Sequence, residues 1–196
     1  MSPLNKQQLD QIRDERREQI KQAALKVFAR RGYAGTKTSM IAAEAGISEG
    51  LIYRYFKSKN ELFTALVQEL MEEGRKETEN VQFLPGSPFD QIKALTENMF
   101  DENNKYAFML ILQARKADEV PKEIAQILDQ NSANVVIDRL VPIFVKGQQA
   151  GEFSAGDPHK LLAWYLYIIN CLIMQEVEQE EYGLPSADVL MRLLTK

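Results

Sequence analysis

An all-α fold is predicted, and three observations predict it. Apolar residues recur at three- and four-residue spacing along the chain, strand-like alternation is absent, and Gly, Pro, Ser and Asp fall between the periodic segments. With 196 residues, 45% of them hydrophobic, the chain can bury a substantial core. Charge then divides it. Residues 1–60 hold twelve Lys and Arg against six Asp and Glu, a net of +6, whereas residues 61–196 hold twelve against twenty-two, a net of −10. Phosphate neutralisation needs local rather than global positive charge, so a basic head at 1–60 is expected to meet nucleic acid and an acidic body at 61–196 to do something else.

About nine helices are expected. The first covers about 9–31 and stops at Gly32. The stretch TKTSMIAAEAGISEGLIYRYFKSKN, residues 36–60, reads as two short helices around a Gly turn and the start of a third. Met40, Ile41, Ala42 and Ala45 give the first of these an apolar face, Gly46 suits the left-handed conformation that ends a helix, and Ser48 suits the cap of the next. That next helix, 49–56, packs Leu51, Ile52 and Phe56 and leaves Tyr53, Arg54 and Tyr55 with hydroxyl and guanidinium groups suited to phosphates and base edges. This is helix-turn-helix patterning, with the motif at 39–58 and a recognition helix at its end. The fourth helix begins at a capping box, Ser58 with Glu61, and runs to about residue 80, joining the halves. After the break FLPGSP, Ser87 caps a helix with Pro88 at its first position and Asp90 near its positive end, reaching about residue 101. Further helices are expected at 104–117, at 121–150 with bends at Pro142 and Gly147, at 158–179 behind an Asp157 cap, and at 186–195.

The helix at 158–179 carries Trp164, Tyr165, Leu166, Tyr167, Ile168, Ile169, Cys171, Leu172, Ile173 and Met174, and is apolar on every side. Such a helix must be covered all round, either at the centre of a monomer or between two subunits, with Ile169 and Ile173 as outward candidates in the second case.

Residues Ile20, Ala23, Ala24, Phe28, Gly32, Tyr33, Thr36, Thr38, Ile41, Ala42, Ala45, Gly46, Ser48, Gly50, Leu51, Tyr53, Phe56, Lys57, Ser58, Lys59 and Leu62 resemble, in order and spacing, the TetR family of bacterial regulators. The resemblance covers about the first third of the chain. It implies an N-terminal three-helix DNA-binding domain, a C-terminal helical domain wrapped around an effector, and a homodimer formed through the last two long helices.

For DNA contact the candidates are Thr38, Ser39, Ser48, Glu49, Gly50, Tyr53, Arg54, Tyr55 and Lys59. Tyr53, Thr38 and Lys59 are assigned to phosphates, the last beside the amides of a helix N-terminus. Ser48, Glu49, Arg54 and Tyr55 are assigned to base edges, Arg54 to guanine and Glu49 to cytosine N4. Glu49 could equally just stabilise its helix N-terminus, and Gly50 could serve either close approach to the groove or relief of crowding between helices. For the effector the candidates are Met99, Phe100, Phe108, Met109, Leu112, Gln113, Trp164, Tyr167, Asn170, Cys171 and Met174. Gln113 and Asn170 are polar amides amid apolar neighbours, and a buried amide requires a partner in protein or ligand.

One Cys and one His leave no disulfide framework, no metal cluster and no catalytic constellation, so no cofactor and no enzymatic activity is expected. The N-terminus lacks an apolar signal core and the longest apolar run is shorter than the ~20 residues of a membrane span, which points to the cytoplasm. His159 and the acidic run 176–181 read as solvated. The expected function is a ligand-responsive transcriptional repressor that binds a double-stranded DNA operator with inverted-repeat symmetry and is released by a small hydrophobic effector. A transcriptional activator, or a DNA-binding protein of the same fold without a ligand, is the alternative.

Overall fold

A computed structural model describes residues 6–117, 120–175 and 183–195. The described residues are helical and connecting segments without strands, as the periodicity predicts: α1 (Lys6–Gly35), α2 (Thr38–Ala45), α3 (Glu49–Tyr55), α4 (Lys59–Asn80), α5 (Pro88–Phe100), α6 (Glu102–Lys116), α7 (Lys122–Gln130), α8 (Ala133–Gln149), α9 (Pro158–Ile173) and α10 (Ala187–Met191). None is long and apolar enough to cross a membrane.

The head forms because α1 buries Ile20, Ala24 and Phe28 against Ile41 of α2, Ile52 of α3 and Leu62 and Phe63 of α4. Phe28 meets Phe63 edge to face with ring centroids 4.8 Å apart, and Tyr33 lies 4.9 Å from Phe63. The first turns of α4 therefore belong to the head's core, while its later turns pack on α7 and α8. In the body, α8 packs along α9, and α5 sits between α8, α6 and α10. Three of the expected caps form: Ser58 accepts from the amide of Glu61, Ser87 and Asp90 form a reciprocal box, and Asp157 accepts from His159 and Lys160.

Three elements differ from expectation. The segment 121–150 is two helices, since Asn131 (φ −115°, ψ 41°) and the extended Ser132 interrupt it. Pro142 lies inside α8 without ending it, and Gly147 makes room for packing: a Cβ there would stand 2.3 Å from the Phe153 ring, which stacks on Phe144 at 4.5 Å. The last helix is a short α10 followed by turns to Leu194, whose carbonyl accepts from the amide of Ser154. The helix expected at 158–179 ends earlier, at Ile173 with Met174 as its C-cap, and the acidic run 176–181 lies outside the described residues.

Candidate nucleic-acid interface and effector cavity

The turn between α2 and α3 is built by Gly46, whose φ of 65° and ψ of 32° let its amide reach the carbonyls of Ala42 and Ala43. Gln19 of α1 donates to the carbonyl of Ala45 at 2.8 Å, and Arg17 donates to that of Tyr55 while lying 4.2 Å above the Phe56 ring. The C-terminal ends of both short helices are thus tied to α1, and a cation sits at the negative end of α3.

Ser48 holds the N-cap position of α3, but its hydroxyl makes no capping bond, contrary to the sequence expectation; the extended backbone alone turns the chain and the hydroxyl stays exposed. Ser48, Glu49, Gly50, Tyr53 and Arg54 form one exposed surface. Ile52 is buried behind it. Tyr55 stands apart, half-buried at the edge of the core. The Thr38 hydroxyl is buried and lies 3.1 Å from that of Tyr53, so α2 orients the tyrosine, with Ser39 exposed beside it. An added Cβ on Gly50 would meet nothing within 4 Å, which removes relief of helix crowding as its role.

Lys59 is engaged within the fold. Its ammonium donates to the carbonyls of Tyr33 at 2.8 Å and Thr36 at 3.0 Å and lies 4.2 Å from the centre of the Tyr33 ring, which commits two of its three donors. Lys37 and Lys57, which were not among the candidates for DNA contact, are exposed just before α2 and just after α3. Their signal in the sequence was their place at the motif's two flanks.

In the body, a cavity of about 200 Å³ opens between α4, α5, α6, α8 and α9. Leu70, Met71, Met99, Phe108, Leu112, Val136 and Leu166 give it apolar walls, with Asn170 among them. Met99, Phe108, Leu112 and Asn170 were expected there; the other effector candidates are not in its wall. Met109 is sealed in the core, and Phe100 and Met174 pack against it from outside the cavity. Trp164, Tyr167 and Cys171 lie on the outer side of α9, Trp164 62% and Tyr167 74% exposed. Gln113 finds its partner in protein: its amide donates to the carbonyl of Ala29. The neighbouring tether runs the opposite way, because Arg30 of α1 donates to the Tyr106 hydroxyl of α6 at 2.8 Å and lies over its ring. Both bonds join α6 to the last turn of α1, just before Gly32 breaks the helix at φ 67°.

The cavity's charged rim is mostly neutralised. Arg75 is clamped between Glu72 and Glu79, and its guanidinium holds the Glu72 carboxyl down to about 2. Arg139 lies 3.7 Å from Glu79. Arg115 differs, donating to the backbone carbonyls of Leu128, at 3.1 Å, and Asn131.

Residues 20–66 match the family model described as bacterial regulatory proteins, tetR family. The chain is 26% identical to an HTH-type transcriptional regulator, YfiR, of Bacillus subtilis over 83% of its own length and 80% of the relative's. It is 33% identical to the HTH-type transcriptional activator FasR of Mycolicibacterium smegmatis over 59% of its length, spanning 53% of the activator. Among solved structures, AibR in complex with isovaleryl coenzyme A and operator DNA superposes with a TM-score of 0.66 at 19% identity, covering 90% of this chain and 94% of that one, which shows a shared fold.

Proposed function

We propose, from the premise that the chain belongs to the TetR family of transcriptional regulators and is no enzyme, that it is a homodimeric repressor in the cytoplasm which leaves an inverted-repeat operator when a small hydrophobic effector fills the cavity between α4, α6 and α9. Residues 1–60 are the DNA-reading domain in this reading and 61–196 the effector and dimerisation domain. The observation that carries it is the coexistence of an exposed polar reading face on α3 with an apolar cavity whose wall helix, α6, holds the reading head by two polar tethers. Phe108 and Leu112 line the cavity and Tyr106 and Gln113 on the same helix grip α1, so a ligand that shifts α6 acts on the head directly. The solved complex of AibR with an acyl thioester and operator DNA supports a fold that accommodates both partners.

Dimerisation is assigned to the outer side of α9. Trp164, Tyr167, Ile168 and Cys171 form a stripe at helical spacing with no protein cover, whereas Ile169 and Ile173, the expected outward residues, are buried in the subunit's own core. A second copy is the occupant that also places two recognition helices on successive major grooves.

Selection of operator DNA from random sequence, followed by footprinting, tests the reading. A protected dyad that is lost when a hydrophobic effector is added supports it. Protection without a dyad would overturn the dimeric operator, and activation of a promoter carrying the site would replace repression by its alternative, as the similarity to an activator allows.

A further inference from the structure

Three guanidinium groups stand at the mouth of the cavity, and they are not equivalent. Arg75 has two carboxylates within 3.0 Å and Arg139 has Glu79. Arg115 has no carboxylate within ion-pairing distance among the described residues; its two hydrogen bonds go to the carbonyls of Leu128 and Asn131, at the C-terminal end of α7. Those carbonyls fix the plane of the fork and leave three of its five N–H donors uncommitted, and the carboxylate whose field it feels, Asp129 of α7, lies beyond ion-pairing distance. The first turn of α8, with Ala133, Val135 and Val136 in the cavity wall, adds the positive end of a helix dipole on the same side, and Ser132 makes no side-chain cap there.

We propose that the effector is an amphipathic anion, an apolar chain seated among Met99, Phe108 and Leu112 whose carboxylate or similar acidic head is bound by Arg115. The inference rests on the reading of this cavity as the effector site. Two lining carboxylates argue for the opposite charge: Glu77, which accepts from the Asn98 side-chain amide at 3.1 Å, and Glu73. Glu73 is exposed, makes no hydrogen bond among the described residues, and shares its surroundings with the like charges of Glu69 and Glu77. A carboxylate that must be ordered on binding gives up rotamer freedom, whereas the Arg115 fork is already held in place, so the preorganised cation sets the preference. Asn170, half-buried in the wall and without a side-chain partner among the described residues, offers an amide to a second oxygen of the head.

Calorimetric titration of the full-length protein with decanoate, decanol and decyltrimethylammonium compares three heads on one chain. Decanoate is expected to bind at least about tenfold tighter than decanol, the size of one charge-assisted hydrogen bond. Arg115→Met should bring decanoate to the level of decanol while leaving decanol itself unchanged, which also shows that the cavity survives the loss of the α7 contact. Arg115→Lys should fall between the two. The proposal is overturned if decyltrimethylammonium is the tightest ligand, if decanoate binds no better than decanol, or if Arg115→Met leaves decanoate binding intact. Should none of the three chains bind, the cavity is no effector site, and the functional reading fails along with the charge assignment.

Discussion

Gly50 is a residue at which stability and the proposed DNA contact can be tested together. Its position in the first turn of α3 is open on all sides, so Gly50→Ala should stabilise the folded protein by up to about 1 kcal/mol, because alanine loses less backbone entropy on entering a helix. If the backbone there approaches a groove, the same change should weaken operator binding. A thermal melt paired with a binding titration reads both, and unchanged affinity would remove the groove contact. Arg54→Ala should relax preference at one position per half-site by about 1–3 kcal/mol, whereas Lys37→Ala or Lys57→Ala should weaken all sequences and lower the salt slope by about one. Identical behaviour of the arginine and lysine variants would undo the division into base and phosphate contacts. The motif residues were legible because their chemistry is local: a left-handed Gly46 and exposed hydroxyls and guanidinium on one helix. Lys59 was not, because its engagement depends on where α1 ends, and spacing along the chain does not reveal which carbonyls that end leaves open.

At the scale of elements, helix existence could be read from periodicity, but helix phase could be read only where polar residues mark a face. In α5 and α8 they do. In α9 they do not, so the sequence grouped Trp164, Tyr167 and Cys171 with Asn170 as pocket residues, although Asn170 faces the cavity and the other three face out. Gln113 was read as a buried amide in need of a partner, and it has one, in α1 rather than in a ligand. The contact between α6 and α1 shows that the head is held by a second helix besides α4. Gln113→Ala and Tyr106→Phe should each loosen this contact, the first by leaving the Ala29 carbonyl short of a donor, at a cost of about 1–3 kcal/mol if that carbonyl stays dry. Both variants should keep effector affinity in the absence of DNA and reduce the effector's power to release DNA. Measurement of release in the single and double variants separates this route from α4, since full release in the double variant would leave α4 as the sole carrier.

For the whole molecule, the acidic body and basic head combine into a switch only if two heads are held at a spacing that the effector changes. Tyr167→Asp or Ile168→Asp should place an uncompensated charge in the proposed interface and yield monomers in sedimentation, with operator affinity lost alongside, because one head binds one half-site. An unchanged dimer would move the interface to another face. Where the dimer holds, the coupling between sites is bound by reciprocity: whatever factor the effector takes from operator affinity, operator DNA must take from effector affinity, typically about 5–150-fold. The effector gains nothing by binding tightly to both states. In the proposed switch it prefers a position of α6 that the operator-bound head disfavours, with the tethers at Gln113 and Tyr106 as the proposed carriers of that preference. Titration of the effector with and without operator DNA is therefore expected to give two affinities, weaker in the presence of DNA, and equal affinities would leave a DNA-binding dimer whose cavity does not regulate it.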